Sequence, residues 1–388
     1  MEASPARRRP RPPSPDAAGE LDSLPPELLD LILCRLPLRD AVRTSALARA
    51  WRRRWESVPS LEFRWDEGAD PGAVSGVLRR YCRPVREFRH SHVQAPSFRH
   101  SDRWLRLLAL RGVKALDLNF EASDEELIHT LHPSIFSCRA LTVLRLRGCN
   151  VPAPPPAFAG LPNLAALRLN SVGFPEGVWD LELLIATSPL LEDLSLGFMS
   201  IPDSNGEYRH WFIQAPKLRS LSIATCFDHG WWINDLPSLE EADIDMDTYS
   251  PDRDYIKLFK GLAHARKLQL AMPGSGTFFG AHVLECALLL LDEYSQDDEV
   301  DSDFLNAQWT DDLFSSLIHV HVTYVTCKLS EMHFIEFVLS KARILEEFHV
   351  CLDKFCPKSN EDAVTELVKY KRASPHAKLF FSRKRSLD

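Results

Sequence analysis

Apolar residues recur along this chain in two patterns, one helical and one strand-like. Near the N-terminus Leu28, Leu31, Ile32 and Leu36 fall at i, i+3, i+4 and i+8, the spacing of one helical face. Pro25 and Pro26 suit the first turn of that helix, where a missing amide loses no hydrogen bond, and Pro37 closes it. Ala41, Val42, Ser45 and Ala46 predict a second short helix, and Trp51, Trp55 and Val58 a third among Arg52, Arg53 and Arg54. A unit this small has too little interior to bury so much apolar surface. The surplus predicts a partner.

From about residue 80 the period changes to L-x-x-L-x-L, as in Leu141/Leu144/Leu146, Leu164/Leu167/Leu169, Leu191/Leu194/Leu196 and Leu218/Leu221/Ile223. The middle position falls at 88, 116, 144, 167, 194, 221, 242 and 268, in steps of 21 to 28 residues. That is the period of leucine-rich repeats, each a short strand with a returning helix or loop. Less clean matches continue at Leu317/Val320/Val322 and Leu345/Phe348/Val350, with an ambiguous register between Val283 and Leu291. Ser123 to Glu126 reads as a capping box, Val178 to Thr187 as an apolar helix stopped by Ser188-Pro189, and Cys149 as an inward packing residue.

If the leucines point inward, strand alternation sends their neighbours to an open face. Those neighbours include Arg145, Arg147 and Arg168 in early repeats, Asp193 next, and Glu241, Asp243 and Asp245 later. This pattern predicts an electrically divided wall able to orient a target of complementary charge. Equally, these can be ordinary solvated strand positions.

The C-terminal stretch has a different texture. Phe334, Ile335, Val338, Leu339 and Ala342 form a helical stripe before a strand at Leu345 to Val350. Ser359 to Asp362 is a capping box for a helix bearing Val364, Leu367 and Val368, and RASPHAKLFF ends as a strand.

Composition narrows the function. A chain of 388 residues, 45% hydrophobic and 26% charged, is globular, and its formal net charge of -8 argues against general nucleic-acid binding. Residues 1–20 are too poor in large apolar side chains to order themselves, so they predict a disordered tail. Its Arg7, Arg8, Arg9 and Arg11 read either as an import signal or as a solvated basic run. Asp292 to Asp312 holds nine acids and no Lys or Arg, which predicts a solvated insertion or a site for a basic partner. Nine cysteines without CxxC pairs, and an N-terminus without an apolar segment, point to a reducing compartment: nucleus, cytoplasm or both. The longest apolar run, Val283 to Leu291, is interrupted by Glu285 and falls far short of the roughly 18 residues a membrane span needs.

No nucleophile elbow, phosphate loop or metal motif stands out, so no catalytic residue, metal or cofactor is expected. Gly274-Ser275-Gly276 is too short for a phosphate loop. His319 and His321 share a strand face, which fits two metal ligands or two exposed histidines, without a third ligand. Trp231-Trp232 reads as packing or as an exposed hot spot.

Two stretches resemble known families. Residues Leu24 to Pro59, LP-x-ELL-x-x-IL-x-x-LP-x-x-x-AV-x-TS-x-L-x-x-x-W-x-x-x-W-x-SVP, resemble the plant F-box, with departures at Pro26, Arg35, Leu38 and Ala48. At Leu38 and Ala48 the family carries helix-capping hydroxyls; losing a cap costs about 1 kcal/mol, which leaves this F-box leaning on its partner for order. SPLLEDLSL, Ser188 to Leu196, resembles the repeats that follow F-boxes in plants, and residues 329–382, with Leu345-Glu346 and Arg372-Ala373-Ser374-Pro375, resemble the FBD domain.

These resemblances imply an α/β chain: a three-helix F-box at 21–62, then a leucine-rich-repeat solenoid at 80–328 with an acidic insertion at 292–312. An α+β FBD-like cap at 329–382 would shield the last repeat. They imply the non-catalytic substrate-recognition subunit of an SCF-type (Skp-cullin-F-box) E3 ubiquitin ligase. Leu24, Pro25, Leu28, Ile32, Leu36, Val42 and Trp51 would dock a Skp-type adaptor, and the repeats would hold a target protein, with no nucleic acid and no membrane involved. Two alternatives stay open: a scaffold that binds the adaptor without ubiquitination, and a small-ligand sensor on the repeat surface.

Overall fold

A computed structural model of the chain describes residues 24–47, 49–58, 62–65, 70–94, 97–120, 128–201, 210–226, 229–246, 255–272 and 313–383. Helices α1 (Pro26–Arg35) and α2 (Leu38–Arg43) precede 3-10 turns at Thr44–Ala46, Arg49–Trp51 and Arg54–Ser57. There follow β1 (Glu62–Trp65), α3 (Pro71–Arg80), β2 (Glu87–Val93), α4 (Phe98–Leu110), β3 (Ala115–Phe120), β4 (His129–Thr130), β5 (Val143–Asn150) and β6 (Ala166–Gly173). Next come α5 (Val178–Ala186), β7 (Asp193–Gly197), β8 (Trp211–Ile213), β9 (Ser220–Thr225), β10 (Trp231–Ile233), β11 (Glu241–Met246), α6 (Tyr255–Gly261) and β12 (Lys267–Ala271). The chain ends with β13 (His319–Val325), α7 (Leu329–Lys341), β14 (Glu347–Leu352), α8 (Asn360–Leu367) and β15 (Lys378–Arg383).

One parallel sheet runs β1-β2-β3-β5-β6-β7-β9-β11-β12-β13-β14-β15, with β4 beside β5, and β8 pairs with β10 in a separate two-stranded sheet. The middle apolar position of each expected repeat occupies one row, Phe88, Leu116, Leu144, Leu167, Leu194, Leu221, Ala242, Leu268, Val320 and Phe348. Every one is buried, and a buried leucine contributes about 1.5–3 kcal/mol relative to an exposed one. Turn amides repeat the step: Glu192, Arg219, Glu240, Arg266 and Ile318 each donate to the preceding row at 2.8 Å. Close approach between rows forces one glycine, since Gly148 has φ +66 and a Cβ there would meet the Phe120 carbonyl at 2.2 Å.

The row extends beyond the expected repeats at both ends, through Phe63 on β1 and Leu379 on β15, so the sheet is continuous across residue 80 and across residue 329. β12 and β13 are direct neighbours in register, so no row stands between them, and the ambiguous repeat near Val283 lies outside the described residues. The segment 273–312, with Gly274-Ser275-Gly276 and the acidic run, lies outside the described residues, as do the N-terminal tail and the capping box at Ser123.

One expectation is corrected. The third N-terminal helix is replaced by 3-10 turns, because Arg53 adopts φ +62 and interrupts it. Neither α1 nor α2 has a side-chain cap, so these short helices draw their order from packing. Residues 329–383 add α7, β14, α8 and β15 as further rows. They cover β13, but their own last apolar side chains, Leu379 and Phe381, are only half-buried. Of the capping box expected for α8 the N-cap is present, with the Ser359 hydroxyl accepting from the Asp362 amide at 3.1 Å and donating to Asp362 Oδ2 at 2.7 Å. At the other end, α2 packs on β1, Trp55 and Val58 join the core with Phe63, and the Tyr81 hydroxyl donates to the Val58 carbonyl at 2.8 Å.

Candidate functional site

α1 is apolar on two sides. Leu29 and Leu33 are buried against the core, at 2% and 0% exposure, while Leu28, Leu31 and Ile32 remain 45%, 49% and 38% exposed. Leu47 adds a further exposed apolar side chain. Arg54 fixes the helix from behind, its Nε donating to Asp30 Oδ1 at 2.7 Å and its Nη2 to the Pro26 carbonyl at 2.5 Å.

Of the residues expected to dock an adaptor, Leu28 and Ile32 lie on this outward face and Pro25 is exposed beside it. Leu24, Leu36 and Val42 are partly buried against the core. Trp51 is a correction: its indole is 2% exposed and sits in the core with Trp55, because the module shares its interior with β1. Leu31 completes the outward face of α1, and neither it nor the exposed Leu47 was in the expected docking set.

The open face of the sheet gathers the residues expected to meet a target. Arg145 and Arg168 are neighbours in register, as are Arg147 and Asn170. Arg168, however, binds Asp193, with Nε 3.1 Å and Nη2 2.5 Å from the same carboxylate oxygen. Arg147 Nε donates to Asn170 Oδ1 at 2.9 Å, and Glu241 is held by Lys267 at 2.5 Å. Further ion pairs, Arg64–Glu87 at 3.2 Å and Arg89–Asp117 at 3.5 Å, extend the pattern toward β1. The electrical division is therefore less complete than the sequence implies, since cations on one strand are largely answered by acids on the next. Asp243 is half-buried, and its Oδ1 has no hydrogen-bond partner among the described residues. Burial first, and the charge of Asp245 second, push its carboxyl above the usual range.

Comparison with known proteins fits this geometry. A family model described as the F-box domain matches residues 21–63, and one described as "FBD-associated F-box protein At5g56370, LRR repeats" matches residues 101–271. The chain carries an F-box domain and FBD-associated leucine-rich repeats. It is similar to the F-box/FBD/LRR-repeat protein At1g13570 of Arabidopsis thaliana, 26% identical across 95% of this chain and 99% of that one. It is 32% identical to the FBD-associated F-box protein At5g38590 of Arabidopsis thaliana, over 57% of this chain and 54% of that one. A putative F-box/FBD/LRR-repeat protein, At1g66290, from the same plant is 25% identical over 66% of this chain and 64% of its own length. The chain thus spans between half and two thirds of the latter two relatives. F-box proteins are generally substrate-adaptor subunits of SCF ligases and typically non-catalytic.

The remaining candidates in this F-box chain resolve into packing. Trp231 is buried on β10 in register with Trp211, while half-buried Trp232 carries the Lys257 ammonium 4.7 Å from its ring centroid. His321 stands edge-on to His349 at 5.8 Å, and His349 stacks on Phe380 at 4.4 Å. Burial and then the His349 charge hold His321 below the usual imidazole range. Among the described residues no three His, Cys, Asp or Glu side chains are placed to hold a metal ion. Cys149 is fully buried, which pushes its thiol far up and leaves it a packing group. No helix among the described residues is long and apolar enough to cross a membrane.

Proposed function

We propose that this chain is the substrate-recognition subunit of an SCF-type E3 ubiquitin ligase, in which α1 docks a Skp-type adaptor and the open face of the sheet holds a target protein. The observation that carries the reading is the outward apolar face Leu28, Leu31 and Ile32 within the segment matched by the F-box model, backed by buried Leu29 and Leu33. Burying such a face against a partner releases the surplus apolar surface that the small helical unit cannot cover itself. In this reading the FBD-like C-terminal rows protect β13 from solvent, and the protein works in the nucleus or cytoplasm. The chain transfers no ubiquitin itself; it raises the target's effective concentration beside the ubiquitin-loaded enzyme of the complex.

Proximity labelling with the wild-type chain and with a variant altered only on the outward face of α1 identifies candidate targets. Reconstituted with the adaptor, cullin and RING subunits, the wild-type chain should support ubiquitination of at least one target, and the variant should not. Ubiquitin transfer that is equal with and without the chain would overturn the proposal. Substitution is preferred to deletion of the F-box, because Trp55 and Val58 belong to the core beneath β1.

A further inference from the structure

The two ends of the long sheet are finished differently. At β1 the edge is covered by α2, and Phe63 is fully buried. Among the described residues β15 pairs with β14 alone, and its core-facing Leu379 and Phe381 are half-buried, whereas Phe348 and Val350 one row earlier are fully buried. Phe380, on the open face of the same strand, is 40% exposed. An edge of this kind offers unpaired backbone groups to another strand.

The hydrogen-bond phase of β15 says which groups are offered. The Lys378 amide donates to the Glu346 carbonyl at 2.8 Å, and Lys378 stands in register with Glu347. Since alternate residues of a parallel ladder face the same neighbour, Lys378, Phe380 and Ser382 address β14, while the amides and carbonyls of Leu379 and Phe381 point away from the sheet.

We propose that β15 is a self-pairing edge, at which the β15 of a second copy of this chain adds antiparallel about a twofold axis at Phe380. In that register Leu379 faces Phe381 of the second copy and exchanges both backbone hydrogen bonds with it, and the twofold repeats the exchange with Phe381 facing Leu379. Phe380 meets Phe380 of the second copy as the non-bonded pair, where side chains come closest. Each side chain then falls on its proper face: the half-buried Leu379 and Phe381 complete the last core row, and Phe380 covers its own copy on the open side. Lys378 opposes Ser382, so no like charges face one another. Sliding the strands by one bonded pair, so that Phe381 faces Phe381, would set Leu379 against Arg383 and Phe380 against Ser382. The apolar sequence Leu379-Phe380-Phe381 is self-complementary in the first register alone. A twofold contact of this type is closed, which limits assembly to a dimer.

The test uses the full chain bound to its adaptor. Light scattering after size exclusion, at micromolar protein, should give a mass containing two copies of the 44.1 kDa chain. Phe380→Lys places two ammonium groups face to face on the open side and should weaken the dimer about tenfold or more. Phe381→Pro removes an outward amide without touching the bonds to β14 and should give monomers. As a positive measurement, Phe380→Cys should cross-link to a covalent dimer under oxidised glutathione, in excess of any cross-link in wild type, whose exposed described thiols are Cys34 and Cys82. There, two thiols give up two protons and two electrons to glutathione disulfide as the new S–S bond forms. A wild-type mass with a single copy, or Phe380→Cys that does not cross-link beyond wild type, would overturn the proposal and leave this edge to a strand of another protein.

Discussion

Leu28 and Leu29 are consecutive in the chain and lie on opposite sides of α1, the first 45% exposed and the second 2%. The same division separates Leu31 and Ile32 from Leu33. Leu33→Ala should therefore destabilise the N-terminal module by about 2–5 kcal/mol, through lost burial and a residual cavity. Leu31→Ala should change stability by less than about 0.5 kcal/mol. Denaturant titration of the two variants measures the difference, and equal losses would show that both faces are core.

On the open face, neutralisation decides which arginines are available. Arg168 is already answered by Asp193, whereas Arg145 and Arg147 have no ion-pair partner among the described residues. Arg145→Glu with Arg147→Glu should reduce capture of targets identified by proximity labelling more than Arg168→Glu does. A double-mutant cycle on Arg168 and Asp193 should give only about 0.2–1 kcal/mol of coupling in stability, the range of exposed pairs. Unchanged capture by the Arg145/Arg147 variant, with the adaptor still bound, would move target recognition elsewhere.

Asp243 should make stability depend on pH. Burial, then Asp245, raises its carboxyl in the folded state, so the folded chain holds this proton more tightly than the unfolded chain does. Stability tied to this group is then greatest below the unfolded carboxylate range and falls as pH rises through the folded value. Asp243→Asn should raise the melting temperature at neutral pH, with the gain shrinking in acid. A gain that stays constant across the acid range would contradict the assignment.

The C-terminal rows should be needed for solubility. Truncation after Lys328 strips β14 and α7 from β13 and exposes Val320 and Val322, both buried in the full chain. The expected product aggregates, because an uncovered apolar row templates association. A monodisperse, cooperatively melting truncation would show these rows to be an appendage.

How far the sequence carried these conclusions depends on the residue. Leu144, Leu167 and Leu194 were legible because every row repeats the same inward positions, so one period confirms the next. Phe63 was not, since β1 is four residues long and lacks the flanking leucines of a full repeat. The outward face of α1 was legible as a helical stripe. Its sidedness was not, because Leu29 and Leu33 make the opposite side equally apolar, and periodicity alone does not say which side meets the core. Trp51 was misplaced for the same reason: its burial depends on β1 and the rows beyond, a contact made only in the folded chain. The charges of Arg168 and Asp193 were each assigned to the correct face. That they cancel one another depended on strand register, which no local pattern encodes.

The central claim is that the outward face of α1 binds the adaptor, and the most direct measurement is the affinity of a purified Skp-type adaptor for the chain with Leu28, Leu31 and Ile32 all changed to Ala. Wild type should bind. The triple variant, melting like wild type, should lose at least about a hundredfold in affinity, as expected when clustered apolar anchors at an interface centre are truncated. Undiminished binding by the folded variant would contradict the account.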